Sequence, residues 1–178
     1  SAAAALEELW PHLPDLQVLD VSFCKIQPAA VPLLLDSSQQ PWLHKLRVLD
    51  MKGNLLNDDG LCQLAARLPF LPSLQALSVA TCFCKDVDTL LHLTTSLPPS
   101  LTHLDAHDNC GAAVVQITQQ KERLAQLDRL NISDVRDTNR EETVEAIRQE
   151  LLVLNPDVQV YRDNGEDMWK IYSGANKE

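Results

Sequence analysis

Residues 43–56 read LHKLRVLDMKGNLL. Leu43, Leu46 and Leu49 recur every third position, and then the step shortens to two at Met51, with Asn54 and Leu56 following. The change of step is informative. Leu49-Asp50-Met51 alternates with the period of a β-strand, which puts Leu49 and Met51 on one face and Asp50 on the other. Asn54 then stands where the chain turns away from that strand.

The same arrangement returns along the chain as L-x-x-L-x-x-L-x-L-x-x-(N/C)-x-L. An earlier copy is Leu13, Leu16, Leu19, Val21, Cys24 and Ile26, and a later one is Leu71, Leu74, Leu77, Val79, Cys82 and Cys84. A fourth keeps Leu101, Leu104, Ala106 and Asn109, with Pro98 at its first position; a fifth has Leu124, Leu127, Leu130, Ile132 and Val135. The sixth is degenerate, with Leu152, Val158, Val160 and Asp163. Anchors at 19, 49, 77, 104, 130 and 158 recur every 26 to 30 residues, a period typical of stacked repeat architectures. The composition agrees, because 31 of 178 residues are leucine while only 4% are aromatic, as many similar small layers require.

From about Leu6 to Arg162 this pattern resembles the leucine-rich-repeat family, and the long period is similar to its ribonuclease-inhibitor-like and cysteine-containing subclasses. The resemblance implies an α/β solenoid, a curved right-handed coil with short parallel strands on its concave face and helices on its convex face. It also implies that Asn54 and Asn109, with Cys24 and Cys82, form a ladder whose side chains satisfy backbone groups at the turns. Strands are expected near 17–21, 47–51, 75–79, 102–106, 128–132 and 157–161, in one domain spanning 1–178 whose residues 162–178 form a cap or tail.

Crossovers between parallel strands are usually helical. Asn57, Asp58 and Asp59 precede the stripe Leu61, Leu64, Ala65 and Leu68; Asp86 and Asp88 precede Leu90, Leu91 and Leu93. Pro28 and Pro32 restrict the first crossover to a short helix beginning near Pro32. Val114, Val115 and Ile117 mark the fourth, between Ala112 and Arg123. The clearest helix runs from Thr138 to Leu154, with Asn139, Glu141 and Glu142 at its positive end and Val144, Ile147, Leu151 and Leu154 buried. Asn155-Pro156 stops it.

A solenoid's first and last layers must be covered. Ala2 to Trp10 reads as a convex helix, either an N-terminal cap or the remnant of a repeat in a longer chain, the latter preferred. At the other end Trp169, Ile171 and Tyr172 read as a cap over the last strand, with Trp169 and Tyr172 as the alternative of a linear motif for a partner.

A net charge of −10 argues against nucleic acid, which needs a basic stripe, and against an anionic membrane surface; a basic protein or peptide is the better electrostatic match. No apolar run approaches the ~20 residues of a membrane span. The alanine-rich start lacks the basic flank of a signal peptide. Five cysteines, Cys24, Cys62, Cys82, Cys84 and Cys110, have neither disulfide-framework nor zinc spacing, so free thiols in cytosol or nucleus are expected. The sequon at Asn131-Ile132-Ser133 falls in a strand and reads as accidental.

No catalytic pattern is recognisable, and neither a metal nor a cofactor is expected. The five histidines, His12, His44, His92, His103 and His107, contain no paired-ligand motif, and Thr102–Asp108 reads as a solvated polar strand and loop. The concave face is the candidate site. Its middle residues should stack as Asp20, Asp50, Ser78, Asp105, Asn131 and Gln159, an acidic ridge flanked by Phe23, Arg47, Lys52, His103, His107, Asp108 and Arg129, with Asp128 and Asp134 extending it. The expected function is noncatalytic protein–protein interaction, as an adaptor or scaffold. The alternative is a structural or regulatory segment of a larger protein, similar to the repeats of F-box substrate receptors or nucleotide-binding receptors, or to the activator of the Ran GTPase.

Overall fold

The computed structural model describes residues 10–36, 38, 40–109, 120–132 and 140–161. Six three-residue strands, β1 (Val18–Asp20), β2 (Val48–Asp50), β3 (Ala76–Ser78), β4 (His103–Asp105), β5 (Arg129–Asn131) and β6 (Gln159–Tyr161), form one parallel sheet in sequential order. Their anchors pair in register as Leu19, Leu49, Leu77, Leu104, Leu130 and Val160.

The last member corrects the expected register. Val158 makes the turn bond to Asn155 O that Leu127 makes to Leu124 O and Leu101 to Pro98 O. It therefore occupies the place of the leucine before the strand, and β6 begins one residue sooner than its neighbours do. Gln159 pairs with Arg129, while Tyr161 pairs with Asn131.

Between strands lie α1 (Val31–Leu34), α2 (Asn57–Ala65), α3 (Val87–Thr95), α4 (Lys121–Leu124) and α5 (Arg140–Leu152). A 3₁₀ turn at Pro28–Ala30 leads into α1, because two prolines leave room for one helical turn only. Asn57 starts α2 by accepting from the amides of Asp59 (2.9 Å) and Gly60 (3.4 Å), and Asp86 accepts from Asp88 at α3. Gly60 lets α2 approach the first crossover: a Cβ there would lie 2.9 Å from Leu56 Cβ and 3.3 Å from Pro28 Cα. In α5 Val144, Ile147 and Leu151 are buried as expected, but Leu154 lies past the helix end and is 47% exposed.

One continuous core runs from Leu19 to Val158, joining strand anchors to helix residues such as Leu61, Leu64, Leu90, Leu93 and Leu124. The ladder reading holds for three rungs. Asn54 Oδ1 accepts from Ile26 N (2.9 Å) while Nδ2 donates to Val21 O (2.9 Å) and Met51 O (2.8 Å). Asn109 does the same with Cys82 N, Cys84 N, Val79 O and Ala106 O. Cys82 Sγ donates to Met51 O at 3.2 Å. Cys24 differs: it is exposed and reaches only Ser22 O in its own turn. The segments around Ala2–Ala5, Val114, Ile117, Asn139 and Trp169 lie outside the described residues.

Candidate functional site

β1 to β4 each leave the sheet through a left-handed residue: Phe23 (φ 54°), Gly53 (φ 68°), Thr81 (φ 55°) and Asp108 (φ 54°). Before this turn, the aspartates of the ridge act on their own backbone. Asp20 accepts from Ser22 N (2.9 Å), Asp50 from Lys52 N (2.9 Å) and Asp105 from His107 N (3.3 Å). These are Asx turns, in which a short carboxylate satisfies an amide that the departing strand leaves behind. The ridge is therefore partly structural.

Register brings Asp20, Asp50, Ser78, Asp105 and Asn131 into one row, with Val18, Val48, Ala76, His103 and Arg129 in the parallel row beside it. Only Asp20 lies open to solvent; Asp50, Ser78, Asp105 and Asn131 are buried. Burial, opposed by the Lys52 amide and reinforced by the carboxylates of Asp20 and Asp105, raises Asp50 to about 6. The Ser78 hydroxyl, wholly buried between Asp50 and Asp105 in the row, has no hydrogen-bond partner among the described residues.

The stretch Thr102–Asp108 is not the solvated strand that its polarity suggests. His103, Asp105 and His107 are buried. His107 Nδ1 lies 2.6 Å from Asp105 Oδ1 and 3.2 Å from Asn131 Nδ2, and its Nε2 faces Asp108 Oδ2 at 3.9 Å. A carboxylate can only accept, so Nδ1–H donates to Asp105. His103 Nδ1 contacts Thr102 Oγ1 at 2.8 Å, and burial, with Arg129 next to it, lowers its pKa. The polar residues pay for their burial with mutual hydrogen bonds.

Arg47 stands just before β2 and donates twice to Gln75 Oε1, at 3.1 and 2.8 Å. Lys52 lies two residues beyond Asp50, and Arg129 opens β5. Phe23 falls outside the two rows; its ring lies over Gly53, where a Cβ would meet it at 2.4 Å. Trp169, Tyr172 and Asp134 lie outside the described residues. Sequence reasoning passed over Val48, Ala76 and Ala80, buried residues of the parallel row and its continuation. The alternation Ala76-Leu77-Ser78-Val79-Ala80 was the available signal, since it puts three small side chains on the face opposite Leu77 and Val79.

Among the described residues no group of three His, Cys, Asp or Glu side chains could hold a metal ion, and no helix is long and apolar enough to cross a membrane.

Stacked parallel strands, helical crossovers and an asparagine–cysteine ladder define a leucine-rich-repeat solenoid with an unclosed sheet. A family model described as Leucine Rich repeat matches residues 12–31 and 43–65, the first two rungs. A search of the curated proteins found no match. Leucine-rich repeats are in general protein-interaction modules, and their extended concave surfaces do the binding.

Proposed function

We propose that the protein is a noncatalytic interaction module whose concave face receives a basic protein segment. The observation that carries this reading is the row Asp20, Asp50, Ser78 and Asp105, where a desolvated carboxylate and a buried hydroxyl without a partner adjoin an exposed aspartate. A guanidinium or ammonium group entering there would favour ionised Asp50 and give Ser78 Oγ a donor. Arg47, Lys52, His103, His107, Asp108 and Arg129 flank the row and would set its register with the partner, while Phe23 is an exposed aromatic anchor at its edge. The long rungs with helical crossovers support the ribonuclease-inhibitor-like or cysteine-containing subclass. Burial that raises the Cys82 thiol to about 12, and four free cysteines among the described residues, support a reducing compartment, cytosol or nucleus.

The test titrates an arginine-rich decapeptide and a glutamate-rich one against the full chain by calorimetry in low salt. The arginine-rich peptide should bind, and Asp20→Asn with Asp50→Asn should weaken it by about tenfold, a typical cost for losing charge pairs across an interface. Asp105 is left intact because its carboxylate holds His107. Equal binding of both peptides, or unchanged affinity in the double variant, overturns the reading.

A further inference from the structure

None of the chain's phenylalanines serves the core. Phe23 is 67% exposed, Phe70 59% and Phe83 53%, although aromatics make up only 4% of the sequence. Two of them stand where the chain turns away from β1 and β3, and both take left-handed backbone, Phe23 at φ 54° and Phe83 at φ 64°. That region is costly for a bulky side chain, and neighbouring rungs hold it in place. Phe23 N donates to Lys52 O at 2.8 Å. Cys82 N and Cys84 N, on either side of Phe83, both donate to Asn109 Oδ1, at 3.1 and 3.3 Å. The two thiols are buried, and the ring between them faces solvent. Strain kept without a gain in packing marks a surface held ready for a contact.

Register lines these side chains up. Continuing the pairing of β1, β2 and β3 into the turns sets Lys25, Leu55 and Phe83 at one place in successive rungs. Bonds from Leu55 N to Ile26 O and from Asn57 N to Cys82 O, both 2.9 Å, keep the turns stacked. Leu55 is 42% exposed, and the Phe23 ring reaches across to Gly53 in the same turn. Rungs about 4.8 Å apart make this an apolar strip roughly 10 Å long. Exposed lysines close both ends, Lys25 in line with Leu55 and Lys85 just past Phe83. Neither ammonium has an ion-pair partner among the described residues. The carboxylates nearest in sequence are turned to the backbone: Asp58 accepts from Lys85 N and Asp86 N, and Asp86 from Asp88 N.

We propose that this turn edge is a second docking surface, for a short segment of another protein in which apolar side chains are bracketed by carboxylates. The apolar side chains would cover Phe23, Leu55 and Phe83, and the carboxylates would meet Lys25 and Lys85. This partner is opposite in charge to that of the concave row, so neither reading depends on the other. A net charge of −10 opposes an anionic membrane and a second copy of the chain. A short segment feels only the charges within a Debye length, about 8 Å at physiological salt.

Calorimetry with the full chain at physiological salt tests it, using a decapeptide of four central leucines between glutamate triplets and a control with serines in the centre. The leucine peptide should bind about tenfold more tightly than the control. Leu55→Ser with Phe83→Ser, and separately Lys25→Glu with Lys85→Glu, should each weaken it about tenfold, whereas Asp20→Asn with Asp50→Asn should leave it intact. Phe83→Gly separates contact from fold: binding should fall while Tm rises by about 2–4 °C, because glycine takes this backbone without strain. Equal affinity for the two peptides, binding that survives both pairs of substitutions, or a lower Tm in Phe83→Gly overturns the proposal. So does sedimentation or vesicle flotation in which Leu55 and Phe83 instead drive self-association or attachment to phosphatidylserine vesicles.

Discussion

Asp50 carries a measurable cost. Its carboxyl titrates near 6 in the folded chain against an ordinary 3.8, so between about pH 4 and 6 the folded state binds more protons than the unfolded one. Stability contributed by the protonated form is complete below the ordinary value and is lost as pH rises through 6. A shift of this size corresponds to about 3 kcal/mol. Asp50→Asn keeps an oxygen for the Lys52 amide and removes the charge. It should raise Tm by several degrees at pH 7.5 and leave it nearly unchanged at pH 4, as thermal melts at the two pH values would show. A gain of equal size at both would mean that the charge is not the cause. The same variant cannot lose peptide binding through unfolding, which makes it a clean probe of the face. His103 acts in the opposite sense: its lowered pKa means stability is lost as pH falls below its ordinary 6.5.

At the level of single elements, the ladder is the most demanding feature. Asn54 satisfies one amide and two carbonyls, two of the three in the preceding rung. Asn54→Ala would strand all three in a dry interior and should cost about 3 kcal/mol or more, readable by urea denaturation; a cost below about 1 kcal/mol would mean that water replaces the amide. Asp58 makes a second stitch. Burial works against its ionisation, but the amides of Asp86 and Lys85 and the Cys84 thiol outweigh this and lower its pKa. These elements were largely legible in the sequence, because strand, turn and helix signals each lie within one repeat. The Asx turns were not read, although an aspartate ends three strands at the same place, because the ridge counts these aspartates as binding groups alone. Two further things were not legible. The β6 register slipped because Val158 is apolar like an anchor, and only its bond to Asn155 O reveals that one residue is missing before the strand. The burial of His103, Asp105 and His107 escaped because polarity reports what a side chain can bond to, not what lies over it.

Across the whole molecule, stability follows position along the stack. Leu77 touches layers on both sides and is fully buried, whereas Leu19 belongs to β1, which pairs only with β2 among the described strands. Leu77→Ala should cost 2–5 kcal/mol, the usual range for a closed cavity in a core, and Leu19→Ala clearly less, because an edge layer can relax. Equal costs in urea titrations would contradict a stack in which each layer leans on its neighbours. The fold class was readable at this scale because spacing repeats along the chain. The burial of Val48, Ala76 and Ser78 on the concave face has no such repeating signal, because a local pattern does not encode what lies over a face.

The ladder also has a direction. Asn54 closes the turn of the rung before its own, and Asn109 closes the turn at Cys82 and Cys84. The first and third coils are thus completed by their successors, so a chain emerging from the ribosome amino end first presents each of these turns unfinished until the next rung arrives.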